Sequence, residues 1–307
     1  MLQFRTVLLS PVLAAATALL IPTPSSADAL LGTIVPAYFY PGTGGPGGVG
    51  DGWAAMAAAA SKIPISAIFN PNSGPLPGPA DPNYVTAMTN LENAGGQVVA
   101  YVYTNYGSTP LATVESQMST YITQYGSLVD GFYLDAMSTN PSEVAYYQSL
   151  ASYVQGLSST DLVIGNPGTA TIAAYLGALP ITANTFNTFE GSSSSFAGYV
   201  PPSSYQNYPS GMFSDTIYDA TTIAAMLADI DRAVQQNTGY VYVTDQSLNP
   251  PAGYLYDQLP SYWDQEVAAI AAIDTPEPGT AAMLALGGLL TFLSVAAKLH
   301  GRGTSAR

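Results

Sequence analysis

The chain has 307 residues, with six lysines and arginines against twenty aspartates and glutamates, a formal net charge of −14, no cysteine and one histidine. An acid excess of this size excludes a nucleic-acid partner, because neutralising phosphates needs a basic footprint. The absence of cysteine excludes disulfides, thiolate nucleophiles and Cys-ligated metal, and because His300 is the only histidine, Ser-His-Asp, Cys-His and His-ligated zinc chemistry are excluded from everything upstream of the tail.

Residues 1–29 are the first predicted element. Arg5 supplies a positive start, residues 7–21 a mainly apolar run, and Ala27-Asp28-Ala29 a small-x-small cleavage site, which together predict a secretory signal peptide cut before Leu30. From 30 to 274 no low-complexity linker intervenes, and short β-branched or aromatic runs alternate with Ala-rich helical segments. Strands are predicted over residues 33–40, 65–70, 97–104, 131–135, 162–166, 184–190, 212–218 and 240–244. Helices are predicted over 52–61, 82–93, 111–125, 142–156, 170–179, 196–208, 221–236 and 262–273, with 196–208 carrying the weakest pattern. This alternation predicts an α/β fold, a single (β/α)8 barrel of TIM type, for which about 250 residues is usual. The competing arrangement is an open doubly wound sheet, which wants a phosphate-binding glycine turn after the first strand. The glycine-rich stretch 42–48 is interrupted by Pro46 and reads instead as a mobile loop at the barrel mouth.

Residues 275–307 close the chain with a different composition. Thr275-Pro276-Glu277-Pro278-Gly279 leads into the uncharged run 281–297, followed by Lys298, His300, Arg302 and Arg307. With its flanks this run is long enough for one transmembrane helix across a hydrocarbon core of about 30 Å; the alternative is a buried C-terminal helix. The basic far side predicts a cytoplasmic C-terminus, with the barrel outside. The order Pro-Glu-Pro, one apolar helix, Arg-rich end resembles the PEP-CTERM sorting signal of Gram-negative bacteria that make exopolysaccharide. That resemblance implies transient anchoring in the inner membrane, removal of the tail by an exosortase-type protease, and delivery to the cell surface or extracellular matrix after signal peptidase has acted at the other end.

Active sites of such barrels gather at the C-terminal ends of the strands. The predicted ends carry Tyr38 and Tyr40, Asn70, Tyr103 with Asn105 and Tyr106, Asp135, Asn166, Glu190, Tyr218 with Asp219, and Thr244 with Asp245. Asp130 precedes its strand and falls on the opposite face. Alternation along 131–135 turns Phe132 and Leu134 toward the helices and Tyr133 and Asp135 inward. An inward carboxylate at a strand end is a candidate catalytic group; the alternative is a structural Asp capping the next helix. Glu190 ends the sixth strand before a serine run, 192–195, that suits an open loop with room for a ligand, although an exposed loop glutamate would look the same. Asp215, inside the seventh strand, and Asp245, past the eighth, are further candidates that spacing does not rank. With neither imidazole nor thiol available, acid–base work falls to carboxylates with tyrosine in support, as in most glycosidases. No metal and no cofactor is expected. The 22 tyrosines suit a polysaccharide, whose sugar faces pack on aromatic rings, and the charge favours a neutral or cationic polymer such as a partly deacetylated amino-sugar chain, or serves solubility alone.

Five segments carry a resemblance to a known family. They are Ile34-Val35-Pro36-Ala37-Tyr38-Phe39-Tyr40-Pro41, Ile68-Phe69-Asn70-Pro71-Asn72-Ser73-Gly74-Pro75, Ala100-Tyr101-Val102-Tyr103-Thr104-Asn105-Tyr106-Gly107, Asp130-Gly131-Phe132-Tyr133-Leu134-Asp135 and Tyr240-Val241-Tyr242-Val243-Thr244-Asp245. In this order they resemble the spherulin-4-like proteins, spherulation-specific family 4, over about residues 33–263. The resemblance implies a (β/α)8 barrel and kinship with glycoside hydrolase family 135, whose fungal members cleave galactosaminogalactan internally at α-1,4-linked N-acetylgalactosamine. In that family the fourth strand ends in Asp followed by Glu, and a further Glu follows at the sixth strand. Asp135 and Glu190 match, whereas Ala136 stands where the second acid belongs. The implied catalytic residues are therefore Asp135 and Glu190: one, taken as Glu190, protonates the glycosidic oxygen, and the other is nucleophile, base or stabiliser of an N-acetyl-assisted intermediate, with the reverse assignment open. Tyr38, Tyr40, Asn70, Tyr103, Asn105, Tyr106, Asn166, Tyr218 and Asp245 are the expected substrate contacts. Two functions are expected: an exported, endo-acting glycoside hydrolase of extracellular polysaccharide, or, because of Ala136, a non-catalytic polysaccharide-binding or matrix protein on the same barrel.

Overall fold

A computed structural model describes residues 30–248 and 255–273. The expected signal peptide and the sorting segment with its transmembrane helix lie outside the described residues; among those described, no helix is long and apolar enough to cross a membrane. Eight strands form one sheet in sequence order, every neighbouring pair parallel. They are β1 (Thr33–Ala37), β2 (Ile65–Phe69), β3 (Gln97–Tyr103), β4 (Gly131–Asp135), β5 (Leu162–Gly165), β6 (Thr185–Ser192), β7 (Phe213–Tyr218) and β8 (Tyr240–Val243). The sheet closes through Gly32, whose N–H donates to the Gly239 carbonyl at 3.0 Å and whose carbonyl accepts from the Val241 N–H at 2.9 Å. Closure removes the open doubly wound alternative and gives a TIM-type barrel.

Around it run α1 (Gly52–Ala60), α2 (Pro82–Asn93), α3 (Leu111–Tyr125), α4 (Val144–Leu157), α5 (Ala173–Leu176), α6 (Ser193–Phe196), α7 (Ile223–Gln235) and α8 (Trp263–Ile273). Their starts follow capping chemistry: Asp51 accepts from Trp53 N–H and Ala54 N–H, Asp81 accepts from Asn83 N–H with Pro82 at the first helical position, and Thr222 caps α7. Strands buried on both faces need apolar residues on both. Val35, Phe69, Val102, Phe132 and Leu134 pack outward against the helices, whereas Ile34, Ile68, Val99, Tyr101, Tyr133 and Ile164 fill the barrel's interior. The alternation expected for residues 131–135 therefore holds.

Three expectations are corrected. The fifth and sixth helices are single turns: Gly177 ends α5, while Gly198, Pro201 and Pro202 follow α6 and leave only a 3-10 turn at Ser203–Asn207. The serine run expected as an open loop instead continues β6 into α6, with Ser192 accepting from Ser195 N–H as its cap. Finally, the glycine-rich stretch after β1 is tied down, since Leu259 N–H donates to the Gly44 carbonyl at 2.9 Å and Gly47 N–H to the Leu259 carbonyl at 3.2 Å.

Candidate active site

Asp135 is the last residue of β4 and points inward beside Tyr133. Glu190 reaches the same space by a less regular route. Strict alternation along β6 would place Asn187 and Glu190 on opposite faces, but the register between β6 and β7 shifts between Asn187 and Phe189. This bulge turns Thr188 and Phe189 toward the helices, where Thr188 meets Asp215 and Phe189 packs on Phe196, and returns Glu190 to the interior opposite Thr216. One extra residue inverts the parity of every later position on the strand.

The two acids meet on one amide. Asn166, just past β5 and 7% exposed, donates from Nδ2 to Asp135 Oδ1 and to Glu190 Oε2, each at 2.9 Å. The two hydrogens of an amide NH2 diverge by about 120°, so linear bonds to both would set these oxygens about 5 Å apart. Each acid's second oxygen accepts from a phenol: Tyr101 OH donates to Asp135 Oδ2 at 2.5 Å, and Tyr256 OH to Glu190 Oε1 at 2.8 Å. Burial pushes the Glu190 carboxyl up from its ordinary value, the hydrogen bonds from Asn166 and Tyr256 pull it down in part, and the neighbouring Asp135 charge raises it again. Burial, with Glu190 beside all three and Asp135 beside the first two, likewise holds the Tyr38, Tyr133 and Tyr256 phenols well above the ordinary range, so they remain O–H groups.

The acid pair stands where two cavities join. The inner one, about 200 Å³, is lined by Pro36, Tyr38, Tyr101, Tyr133, Thr216 and Tyr256 with the acids and Asn166. The outer one, about 440 Å³, is lined by Tyr103, Tyr106, Ala136, Pro167, Gly168, Tyr218, Leu248 and Leu255 with the same three groups. Among the described residues no basic side chain lines either. Lys62 follows α1, and Arg232 on α7 is engaged with the Tyr199 carbonyl at 2.7 Å. Among the described residues no cluster of three potential ligands could hold a metal ion.

Of the residues expected from the sequence, Asp135, Glu190, Tyr38, Asn166, Tyr103, Tyr106 and Tyr218 converge on these cavities. Asn70 sits behind Tyr38 as its hydrogen-bond partner and holds Gly74 N–H through Oδ1. Asn105 holds Tyr103 OH at 3.3 Å and, like Tyr106, has positive φ, so the turn after β3 presents the two tyrosines. Tyr40 points away: its hydroxyl donates to Asp81 Oδ2 and accepts from Asn83 Nδ2 at the start of α2. Asp245 accepts from Ser261 N–H and Ser261 Oγ and orders the segment before α8. Asp215 faces the helices, buried between Thr188 and Thr238, because Ser214 and Thr216 take the inward positions of β7. Asp130 lies at the opposite end of β4, accepting from Val98 N–H. The position after Asp135 is a bare methyl: Ala136, at φ 49°, borders the outer cavity. Tyr101, Tyr133, Asn187, Thr216 and Tyr256 were missed. Parity marked Tyr133 as inward, but nothing local marks Tyr256, which comes from the long β8–α8 connection.

Residues 32–270 match the sequence profile of spherulation-specific family 4. The chain is 32% identical over 246 residues to spherulin-4 of Physarum polycephalum, covering 78% of this chain and 70% of that protein. Its fold is similar to that of Aspergillus clavatus Sph3, solved in complex with GalNAc, with a TM-score of 0.63 at 20% identity over 79% of this chain and 98% of that one.

Proposed function

Because the chain belongs to spherulation-specific family 4, we propose that it is a glycoside hydrolase cleaving internal bonds of an extracellular, galactosamine-containing polysaccharide. The observation that carries this reading is the single Asn166 amide shared by two half-buried carboxylates at the junction of an enclosed and an open cavity. An oxygen separation near 5 Å is that of retaining glycosidases, whereas inverting ones leave about 6.5–9.5 Å for a water. Asp135 is the nucleophile: it attacks the anomeric carbon from the floor of the cleft while Glu190 gives its proton to the departing glycosidic oxygen. Water then displaces Asp135, with Glu190 taking the proton. A buried carboxyl with a raised pKa suits the acid step, and one held by two donors suits the base step. Tyr38, Tyr101, Tyr133 and Tyr256 enclose the sugar under attack, and Tyr103, Tyr106 and Tyr218 offer ring faces to its neighbours.

The acidic, arginine-free cleft disfavours uronate polymers and favours neutral or cationic amino-sugar chains. Export through the signal peptide, transient anchoring in the inner membrane and release to the surface or matrix complete the proposal. Ala136 favours a second reading, a polysaccharide-binding protein that no longer cleaves, because the outer cavity has a methyl where relatives are expected to carry an acid. Incubation with partly deacetylated poly-N-acetylgalactosamine separates the two. Hydrolysis predicts new reducing ends of retained anomeric configuration, lost in Asp135→Asn and Glu190→Gln while polymer binding persists. Binding without reducing ends from the unsubstituted protein overturns the enzyme and leaves the binding protein.

A further inference from the structure

The bulge that turns Glu190 inward leaves one backbone carbonyl for a side chain to satisfy. Asn187 pairs with Ser214 and Phe189 with Asp215, so Thr188 between them is the extra residue of β6. A bulged residue drops out of the ladder, and a buried carbonyl that loses its ladder donor needs another. Thr188 is 2% exposed, and its carbonyl accepts from Tyr199 OH at 3.1 Å. Tyr199 follows α6 and is itself anchored. Its ring packs on Phe189 and Phe196, with centroids 4.9 and 6.1 Å away, and its carbonyl accepts from Arg232 Nη2 at 2.7 Å and Gln236 Nε2 at 2.8 Å at the end of α7.

On the other side of the strand Gly168 spans the bulge. Its N–H donates to the Asn187 carbonyl and its carbonyl accepts from Glu190 N–H, both at 3.1 Å. In a regular parallel pair those two partners stand two residues apart; here they stand three apart, with the additional residue between them. The segment from Asn187 to Glu190 is thus pinned at its ends by Gly168 and at its apex by Tyr199. The apex bond matters because the alternative to a bulge is strict alternation, which turns Glu190 out of the cleft.

We infer that Tyr199 is a positioning residue for Glu190: its hydroxyl fixes the bulge of β6 and thereby holds the carboxyl against Asn166 and Tyr256. The inference rests on Glu190 serving as the acid of the proposed hydrolase. Tyr199 lines neither cavity and acts from behind the barrel wall, through the backbone. Burial, with the Asp215 charge beside it, raises the Tyr199 phenol above its ordinary value, so it stays a donor. The titratable groups facing Tyr199 are Asp215 and Tyr205, and the Arg232 guanidinium bonds its carbonyl. Those facing Glu190 are Asp135 from β4, Tyr256 from the β8–α8 connection and Tyr38, Tyr101 and Tyr133 from β1, β3 and β4. The donor bonds from Asn166 and Tyr256 lower the Glu190 pKa by more than the Asp135 charge raises it, so a carboxyl that draws back from all three becomes harder to ionise.

Tyr199→Phe keeps the ring on Phe189 and Phe196 and removes only the hydroxyl. The Glu190 midpoint, read from its carboxyl carbon resonance, should rise, and the alkaline limb of the pH–rate profile should rise with it. Turnover should fall by roughly 10- to 100-fold at unchanged KM, the cost of a misplaced acid in an intact binding cleft. Amide exchange at Glu190 N–H should quicken by about 10-fold or more, while Phe186 N–H, ahead of the bulge, keeps its protection. In a Tyr256→Phe background the same substitution should move the midpoint less, because one of the two donors is already gone; an equal shift in both backgrounds overturns the route through the donors. A Glu190 midpoint that does not respond to Tyr199→Phe overturns the positioning role, even where the melting temperature falls, since that combination marks a phenol that only packs the wall. Midpoint and exchange are read without substrate. A protein that binds polymer without cleaving it therefore still answers the question, and a hydrolase with an unmoved midpoint refutes the positioning role while leaving the reaction intact.

Discussion

At the scale of single residues, the site is a matter of which oxygen each donor holds. Glu190 accepts from Tyr256 and Asn166, and both bonds favour its ionised form against the burial that opposes it. Removing one donor leaves burial less opposed. Tyr256→Phe should therefore move the Glu190 midpoint upward and carry the alkaline limb of the pH–rate profile, where the acid loses its proton, with it; an unmoved midpoint would mean the phenol is a bystander. Glu190→Gln removes the placed acid and base and should lower turnover by roughly 10²–10⁴-fold, the usual worth of such a group, and Asp135→Asn, which removes the nucleophile, should lower it at least as far. Reducing-end assays on the two variants, beside a polymer-binding control, check that figure. Tyr40 is the contrasting case: a strand-end tyrosine whose hydroxyl is committed to Asp81 and Asn83, so Tyr40→Phe should leave cleavage untouched.

At the scale of elements, the bulge in β6 does two jobs with consecutive residues. It delivers Glu190 inward and turns Thr188 outward, where Thr188 and Thr238 donate to Asp215 on β7 at 3.3 and 2.7 Å. Burial pushes Asp215 up from 3.8 to about 7 despite those two bonds. An acid with a raised folded-state pKa stabilises the fold fully below its unfolded value, and that contribution drains away as pH rises through the folded one. The loss across the window from about 4 to about 7 is roughly 4 kcal/mol. Asp215→Asn should flatten stability against pH in this window, as read from urea midpoints, with the Thr238 hydroxyl reversing to accept from the new amide. Parallel curves for the two proteins would place the pH dependence elsewhere. Glu266 on α8 adds to the same slope, since burial raises its carboxyl well above the ordinary range while Oε1 accepts from Val243 N–H at 2.8 Å.

At the scale of the whole molecule, the barrel depends on its seam. Gly32 bonds on both sides to β8, and a Cβ there would lie 2.9 Å from the Pro64 carbonyl and 2.9 Å from the Tyr240 ring. Gly32→Val should cost about 1–3 kcal/mol by overpacking, visible as a lower melting temperature, whereas an unchanged one would show that the seam yields freely. Charge also belongs to this scale. An excess of acids with two basic residues between positions 30 and 274 should make binding of a deacetylated, cationic polymer weaken as salt shortens the Debye length below about 10 Å, while the fully acetylated polymer binds independently of salt. Equal salt dependence for both polymers would separate affinity from the net charge.

The sequence by itself determined the alternation of eight strands with helical segments, the inward direction of Asp135 and the exclusion of imidazole and thiol chemistry upstream of His300. These are properties of local period and composition, which neighbours in space do not alter. It also marked Asn166 and Glu190 as strand-end groups, but alternation alone would have turned Glu190 away from Asn187. Only the tertiary structure decided that Glu190 shares an amide with Asp135, because the parity of β6 is reset by pairing with β7. It alone brought Tyr101 and Tyr256 to the acids from β3 and the β8–α8 connection and Asn187 of β6 to Asn166, and separated Tyr38 and Tyr218, which line the cleft, from Tyr40 and Asp245, which do not. Side chains at strand ends look alike along the chain; closing the barrel selects those that face its axis.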